Sequence, residues 1–484
     1  MKPPTPIRLE RLDPWRLRIP RIGGMRTEGL IYADERMGRL LAGDQSPQQV
    51  ANVACLPGLV GLSLAMPDVH WGYGFPIGGV AAFDLRDGVV SPGGVGYDIN
   101  CGVRLLRSHL TEAEVRPRLR ALVDRLFTRI PTGVGAHREG YRLTSARLKD
   151  LLIDGAAWVV REGGGTATDL EHLESGGRLP DAWPDAMSER AIQRGLDQVG
   201  TLGSGNHFGE IGVVDEIFDP AAAALFGLHP GTVTFMIHCG SRGLGHQVAE
   251  DYMHEMERGL ERWGLDLPDR QLVCAPLASP EAERYLGAMR AAANFAFANR
   301  QMITHLARQA FAEIFETAWE ELGLEVVYDV CHNIAKIEEH TWQGRPRRVC
   351  VHRKGATRAF PADHPETPPG YRACGHPVLI PGDMGRYSYV LVGEPRAMEE
   401  SWGSSCHGAG RLCSRSKARR ELRGRRIDAE LAERGIIVRA QSRGVLAEEA
   451  SYAYKDVADV VEVVEQAGLA RRVARLRPIG NIKG

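Results

Sequence analysis

The chain has 484 residues, of which 43% are hydrophobic and 25% are charged, which is the composition of a globular protein with a large core. Lys and Arg total 60 against 61 for Asp and Glu, so the net charge of −1 does not indicate nucleic-acid binding, and any grip on nucleic acid must come from local basic clusters. No apolar run approaches about 18 residues, and the N-terminus lacks the apolar segment of a signal peptide. The nine cysteines form no disulfide-like pattern. We therefore expect a cytoplasmic protein with reduced thiols and no membrane span.

Helical and strand-like segments follow one another without strict alternation. Hydrophobic periodicity and β-branched runs predict, in chain order, a strand over Thr232–Ile237, a helix over Tyr285–Thr317, strands over Leu324–Val330 and Arg348–Val351, and helices over Ser414–Arg434 and Asp456–Gln466. Two further stretches, Arg161–Met187 and Pro361–Pro377, are typical of exposed insertions. Because neither insertion separates two self-sufficient halves, we predict a single large α+β domain over residues 1–484.

Chemistry-bearing side chains stand at the ends of the predicted strands. His238 and His332 each follow a strand, and His207 lies in a glycine-rich segment. Strands buried in a core bring their ends to one rim, so loop side chains can converge there. Asp98 and Cys101, three residues apart, add a carboxylate and a thiol. These five residues predict a divalent-metal site; ligand softness permits zinc, whereas an open, carboxylate-containing site that handles phosphates favours manganese.

Two glycine-rich segments are suited to phosphate chemistry. Gly203–His207 can wrap a phosphate with backbone amides, but it matches neither the Rossmann fingerprint nor the P-loop. In Gly403–Arg411, small residues flank His407, so a bulky group can approach its imidazole. A neutral imidazole can attack phosphorus, which makes His407 the candidate nucleophile; Cys406 is the rival.

Basic residues follow this second segment and also accompany the predicted metal histidines. The run after His407 comprises Arg411, Arg415, Lys417, Arg419 and Arg420. Such a cluster is suited to a polyanion, although a solvated helix face explains its outer members equally well. Arg242 and Arg353–Lys354 lie beside the metal histidines, which indicates phosphate binding more specifically than the run itself does.

Taken together, the motifs resemble those of the RtcB family of tRNA-splicing RNA ligases. The matching segments span nearly the whole chain: MPDVHWGYGFPIGGV (66–80), GGVGYDINCGVR (93–104), GTLGSGNHFGE (200–210), HCGSRGLGHQ (238–247), HNIAK (332–336), RKGATRAF (353–360), SCHGAGR (405–411), AYKDV (453–457) and the terminal IGNIKG.

The resemblance implies a ligase that uses GTP and two manganese ions. Asp98, Cys101 and His207 would hold one ion, and Cys101, His238 and His332 the other. His407 would carry GMP. The residues implied around the nucleotide are Asn206, His207, Phe208, Gly209, Glu210, His332, Asn333, Pro381, Gly382, Asp383, Met384, Ser388, Gly408, Ala409, Gly410, Tyr454 and Lys483. Those implied to contact RNA phosphates are Arg194, Arg242, Arg411 and Arg415.

Three positions, in two places, depart from the family pattern. Asp383 stands where serine is common, and Arg386–Tyr387 replaces small residues before Ser388. A carboxylate near the nucleotide phosphates would repel them, whereas near the base edge it could accept a hydrogen bond from guanine.

The sequence therefore predicts a ligase that joins an RNA 3′-phosphate or 2′,3′-cyclic phosphate to a 5′-hydroxyl through a GMP–histidine intermediate, in tRNA splicing or RNA repair. An activating accessory protein is a possible partner. One alternative is a two-metal phosphodiesterase, which needs the same ligands but not His407. The other is a non-catalytic RNA-binding protein, for which the Cys/His/Asp cluster has no purpose.

Overall fold

A computed structural model describes residues 7–484 of the chain. The strands are β1 (Glu10–Asp13), β2 (Arg16–Ile19), β3 (Gly29–Tyr32), β4 (Leu59–His70), β5 (Ile77–Asp84), β6 (Val89–Val90), β7 (Gly102–Thr111), β8 (Phe208–Ile217), β9 (Thr232–Cys239), β10 (Ala275–Pro276), β11 (Glu325–Cys331), β12 (Asn333–Trp342), β13 (Arg345–Lys354), β14 (Ala356–Arg358), β15 (Pro377–Ile380), β16 (Ser388–Gly393), β17 (Ser404–Cys406), β18 (Ile437–Ala440) and β19 (Ala470–Lys483).

The helices lie between these strands in an irregular order, as an α+β fold predicts. They are α1 (Glu35–Leu41), α2 (Ser46–Val53), α3 (Glu112–Val115), α4 (Leu119–Arg129), α5 (Ser145–Asp154), α6 (Ala156–Arg161), α7 (Ala167–Glu171), α8 (Glu189–Gly195), α9 (Pro220–Phe226), α10 (Arg242–Glu257), α11 (Pro280–Phe315), α12 (Pro395–Glu400), α13 (Arg415–Glu421), α14 (Ile427–Glu433), α15 (Arg443–Glu448) and α16 (Val457–Gln466). No helix within residues 7–484 is both long and apolar enough to cross a bilayer. All nine cysteines are free thiols.

Two large sheets organise the fold. One has the order β1-β2-β3-β4-β5-β13-β12, and the other has the order β11-β7-β9-β8-β19-β16-β15, with β18 added in parallel to β19. The three strands predicted from the sequence are confirmed as β9, β11 and β13. The largest hydrophobic cluster packs β7, β8 and β9 against α4, α5, α10 and α11. Because this packing is extensive, the second sheet is a rigid support for the residues at the ends of its strands.

The predicted alanine-rich helix is confirmed as α11 and starts five residues earlier than expected. Ser279 caps it by accepting a hydrogen bond from the Ala282 amide, and Pro280 occupies the first turn, where its missing N–H costs nothing. The helix ends where Glu316 adopts a left-handed conformation (φ 55°). Most of its length is buried, because its many alanines let neighbouring elements approach from several sides.

Two local predictions are wrong. The charged stretch Ser414–Arg434 forms two short helices, α13 and α14, rather than one. Leu422, Ile427 and Leu431 are buried together in a small hydrophobic cluster, and the break between the helices lies between the first two of these residues.

The stretch Arg161–Met187 is only partly an exposed insertion. Asp169 is buried and binds Arg308 of α11 at 2.7 Å. Glu174 is also buried; it binds Lys336 at 2.5 Å and accepts a hydrogen bond from the Cys331 amide at 2.8 Å. Tertiary pairing with charged residues elsewhere therefore buries a segment whose local composition is polar.

A fully buried ion cluster joins α11 to the second sheet. Asp329 of β11 binds Arg300 of α11 at 2.7 Å and Arg104 of β7 at 2.8 Å, and all three side chains are inaccessible to solvent. Arg104 also donates to Gln301 and Thr304 of α11. Because each buried charge has partners, the cluster fixes how the helix meets the strands.

We expect Asp329→Ala to destabilise the protein by about 3–5 kcal/mol, because it leaves two buried guanidinium groups without their carboxylate. The measurement is chemical unfolding followed by circular dichroism. Glu325→Ala is a matched control on the same strand: its ion pair with Arg107 is solvent-exposed, and such a pair contributes at most about 1 kcal/mol. Equal losses in the two variants would contradict the role given to Asp329.

Candidate active site

Four neighbouring strands end at one rim of the second sheet. Cys101 precedes β7, His207 precedes β8, His238 is the penultimate residue of β9, and His332 follows β11. These strands are antiparallel neighbours, with Gly102 opposite both Cys239 and Cys331. The start of one strand therefore lies beside the end of the next, which brings the four side chains together as the sequence predicted.

The side chains form two overlapping groups that share one thiol. The Cys101 Sγ lies 3.4 Å from Nε2 of His207 and 3.3 Å from Nε2 of His238. Nε2 of His238 is 3.3 Å from Nε2 of His332, and Nε2 of His207 is 2.8 Å from a carboxylate oxygen of Asp98. The groups Asp98–Cys101–His207 and Cys101–His238–His332 each have ligand atoms within 4.8 Å of one another. This mixture of imidazole, thiol and carboxylate fits a divalent metal ion.

Burial sets the protonation of three of these groups, His238, His332 and Cys101. It holds the pKa values of His238 and His332 well below their usual range, so both imidazoles are neutral, which is the form that binds metal. Burial, reinforced by the nearby Asp98 carboxylate, raises the pKa of Cys101 to about 12. A bound cation would stabilise the thiolate form of Cys101.

The loops that carry these residues are held by hydrogen bonds from residues farther inside. Arg300 donates to the carbonyls of Asn100 and Cys239 at 2.8 and 2.9 Å. Asn333 donates to the Asp98 carbonyl and accepts from the Gly355 amide. Asn333 was predicted to lie beside the nucleotide; its side chain links two site loops instead of standing free. A side chain at Gly240 would collide with the Asp98 carboxylate at 2.4 Å, so this position requires glycine.

The predicted nucleophile lies directly beside the metal ligands. His407 follows β17, which pairs with β14, and the amide at the start of β14 donates to the His332 carbonyl. The rings of His407 and His332 are 4.7 Å apart. Gly355, with a φ of +64°, lets the chain pass His407, since a Cβ there would lie 3.0 Å from its ring. Cys406, the rival nucleophile, is buried, and burial raises its pKa well above the usual value.

A buried carboxylate orients His407, and the sequence analysis missed it. Asp68 accepts hydrogen bonds from Nδ1 of His407 at 2.5 Å and from its backbone amide at 3.1 Å. Burial alone would raise the pKa of Asp68, but the imidazole beside it lowers the pKa below its usual range. The charged carboxylate holds the proton on Nδ1 and leaves Nε2 with a free lone pair. Asp68 belongs to the motif at residues 66–80, whose carboxylate was the available signal.

Several of the predicted nucleotide residues lie together where β8, β16 and β19 pair. Ser388 donates to Glu210 at 3.2 Å and accepts from the Gly382 amide, while Asn481 donates to the other Glu210 oxygen at 3.3 Å. Burial raises the pKa of Glu210 to about 8. Lys483 donates to the Gly205 carbonyl at 3.1 Å and lies 5.6 Å above the Phe208 ring.

The remaining predicted nucleotide residues have different surroundings. Gly408 lies close to Pro381, and Gly410 packs on the backbone of Asp68. Gly209 packs against Ile482. Ala409 is buried, Asn206 is half-buried, and Tyr454 stacks under Arg411 at 4.9 Å. Met384 instead packs in the small hydrophobic cluster formed by α13, α14 and α15.

The two departures from the family pattern face neighbouring loops. The Asp383 carboxylate accepts hydrogen bonds from the Gly385 amide and from Ser451. Arg386 donates to the carbonyls of Ser451 and Lys455. Tyr387 lies under Arg475 at 4.2 Å. Asp383 and Arg386 therefore connect the loop after β15 to the segment before α16.

The predicted RNA-binding arginines approach the glycine-rich segment 203–207 from two sides. A Cβ built on Gly203 would lie 2.4 Å from Arg242, and one built on Gly205 would lie 2.7 Å from Arg415. Arg194 lies near Gly243, in the first turn of α10. Arg411 is only 15% exposed and binds Glu449 at 3.2 Å. Glu449 was not predicted from the sequence.

Comparison with known proteins agrees with this geometry. Residues 49–484 match the family described as tRNA-splicing ligase RtcB. The chain is 55% identical to the tRNA-splicing ligase RtcB of Thermococcus kodakarensis over 98% of this chain and 99% of the relative. It is 52% identical to the protein of the same name from Archaeoglobus fulgidus, over 95% of each chain. It is 54% identical to the RNA-splicing ligase RtcB of Mycobacterium tuberculosis, over 90% of this chain and 100% of the relative. The chain therefore belongs to the RtcB family of tRNA-splicing ligases.

Proposed function

We propose that the protein is an RNA ligase of tRNA splicing that joins a 3′-phosphate or 2′,3′-cyclic phosphate end to a 5′-hydroxyl end through GMP carried on His407. One observation supports this most directly: Asp68 orients His407 beside the two metal-binding groups. The names of the relatives support RNA splicing as the process.

The first step uses the free lone pair of His407. Nε2 attacks the α-phosphorus of GTP, a P–N bond forms, and the bond to the pyrophosphate leaving group breaks. Asp68 stabilises the positive charge that develops on the ring. Two manganese ions, held by Asp98, Cys101 and His207 and by Cys101, His238 and His332, would offset the negative charge of the phosphates.

The next two steps transfer and then release GMP. An oxygen of the RNA 3′-phosphate attacks the phosphorus of the adduct, and His407 leaves. The RNA 5′-hydroxyl then attacks the activated 3′-phosphate, a phosphodiester forms, and GMP leaves. A 2′,3′-cyclic phosphate is first hydrolysed to a 3′-phosphate by water. Arg194, Arg242, Arg411 and Arg415 are the proposed RNA-phosphate contacts, since two of them flank the segment 203–207 beside His207.

Glu210 and Lys483 are the proposed base-reading pair. Lys483 has donors only and is suited to the guanine O6 acceptor, whereas adenine presents an amino donor there. Glu210 would accept from guanine N1 and N2. Their support is proximity: both flank Phe208, and both lie where β8 and β19 pair.

We expect His407→Ala to bind metal normally and to form no covalent GMP, because the imidazole that is proposed to attack GTP is removed. Labelling with α-labelled GTP in the presence of manganese, followed by denaturing electrophoresis, measures this. Cys406→Ala is the control and should label like the wild type, since its thiol is buried and protonated. A labelled His407→Ala protein would transfer the role to another residue. A wild type that cleaves RNA without labelling would favour a phosphodiesterase.

Asp68→Asn should reduce the rate of GMP labelling about 100-fold or more, because an amide can donate to Nδ1 and force the proton onto Nε2. Single-turnover labelling at saturating GTP isolates this step. Asp84→Asn provides a matched control, since Asp84 is also a buried carboxylate but pairs with Arg347 at 2.6 Å. Loss of labelling in both variants would indicate a general effect of removing a buried charge.

Cys101→Ser should lose bound metal while keeping its fold, because a hydroxyl is a poor substitute for a bridging thiolate. Metal content and the melting temperature should be measured on the same sample. The control is Cys331→Ala: this thiol is buried one residue before His332, but it belongs to neither metal group of residues 7–484. Full metal occupancy in Cys101→Ser would remove Cys101 from the site.

A further inference from the structure

One buried carboxylate connects the residues proposed for the nucleotide with those proposed for RNA. The side chain of Glu449, which follows α15, is inaccessible to solvent. One of its oxygens accepts from Arg411 and from Arg415, both at 3.2 Å. Its other oxygen accepts from the Tyr454 hydroxyl and lies 3.6 Å from Nζ of Lys483. Four functional candidates from three segments of the chain thus share one carboxylate.

Glu449 carries a charge in this cluster, and its proximity counteracts the effect of burial, which lowers the pKa of Lys483. Burial would raise the pKa of Glu449, but Lys483, Arg411 and Arg415 together lower it to about 2. Tyr454 is neutral, because burial raises its pKa well above the usual range. Three cations therefore surround one carboxylate, and the cluster keeps a net positive charge that suits a phosphate-bearing ligand.

Glu449 also influences which N–H groups of Lys483 and Arg415 remain available to bind a ligand. Lys483 has three N–H donors; the Gly205 carbonyl takes one, and the Glu449 carboxylate attracts the ammonium group across 3.6 Å. Arg415 is bound only through Nε, and both of its Nη groups have no hydrogen-bond acceptor within residues 7–484. Arg415 is half exposed, so these Nη groups can meet an incoming phosphate.

Arg411 is held more tightly. It donates to Glu449, Tyr454, the Glu448 carbonyl and the Cys413 carbonyl. Such complete restraint fixes the position of its guanidinium relative to Tyr454 and Lys483, rather than leaving it a mobile surface charge.

We propose that Glu449 is a positioning residue that couples the two subsites: it aims Lys483 and Tyr454 at the nucleotide and restrains Arg411 and Arg415 for the RNA phosphate. This inference rests on the proposed ligase function. Glu449 touches neither substrate nor the reacting atoms in this scheme and acts only through its four partners. Without its charge, three cations would repel one another across a distance of a few ångströms.

Glu449→Gln in the full-length protein tests this inference. In the labelling reaction, we expect KM for GTP to rise about tenfold with kcat nearly unchanged, and the preference for GTP over ATP to fall about tenfold. In the joining reaction, started from enzyme already carrying GMP, KM for RNA should also rise. Glu448→Gln is the matched control, because the neighbouring carboxylate binds Arg419 at 3.0 Å near the surface and should leave all three values unchanged.

A double-mutant cycle separates positioning from general structural support. If Glu449 acts on base choice through Lys483, adding Glu449→Gln to Lys483→Met should reduce the GTP preference no further. Additive losses, or unchanged KM values and preference in Glu449→Gln, would overturn the proposal.

If Glu449→Gln does not fold by thermal melting and gel filtration, Glu449→Asp replaces it. This variant keeps the charge but shortens the reach, so the protein should fold and show the same fall in GTP preference. A folded Glu449→Asp with the wild-type preference would overturn the coupling. A wild-type protein that takes up no label from GTP would instead refute the proposed ligase function itself.

Discussion

Asp329 lies between two arginines in a region without solvent, and the geometry of the site depends on this arrangement. The carboxylate holds Arg300 by two hydrogen bonds. The remaining Nη1 of Arg300 then reaches the carbonyls of Asn100 and Cys239, one beside a metal-binding thiol and the other beside a metal-binding histidine. Burying three charges is costly unless each is paired, so the cluster tolerates little displacement. The metal loops are thereby positioned by the core rather than by their own conformational preference.

The proposed nucleophile, His407, is held by a second set of contacts, which come from Asp68 of the first large sheet. Asp68 lies in β4 and His407 follows β17, so two elements far apart in sequence meet at one hydrogen bond. Lys455 donates to the carbonyls on either side of Asp68, at 3.0 and 2.6 Å, and so links this strand to the segment before α16. The candidate metal ligands border the second large sheet, Asp68 belongs to the first, and His407 follows β17 of a separate two-stranded sheet and lies beside His332. The reacting centre forms only when both sheets are correctly packed.

Glu449 is a third buried carboxylate that holds site residues, in this case the residues proposed to bind the substrates. Arg411 and Arg415, considered from the sequence as a basic run, have different environments: one is almost fully restrained, and the other keeps free donors. Asp383 and Arg386, which depart from the family pattern, also bind neighbouring backbone: they join the loop after β15 to the segment before α16. Charged residues near the proposed nucleotide site thus hold backbone segments in place, in addition to any contact that they make with phosphate.

The sequence by itself determined the α+β class, helix α11, the strands β9, β11 and β13, and the selection of Asp98, Cys101, His207, His238 and His332 as candidate metal ligands. These features follow from local periodicity and from motifs of chemically special residues, which short stretches of sequence carry. Only the tertiary structure decided that Asp169 and Glu174 are buried, that the stretch 414–434 breaks into two helices, that Asp68 binds His407, and that Glu449 lies among Arg411, Arg415 and Lys483. Each of these outcomes depends on a partner elsewhere in the chain: Arg308, Lys336, a hydrophobic cluster, His407 and Lys483. A carboxylate has the same local signature on a solvated surface as it has in a buried pair, and only packing brings the compensating charge to it.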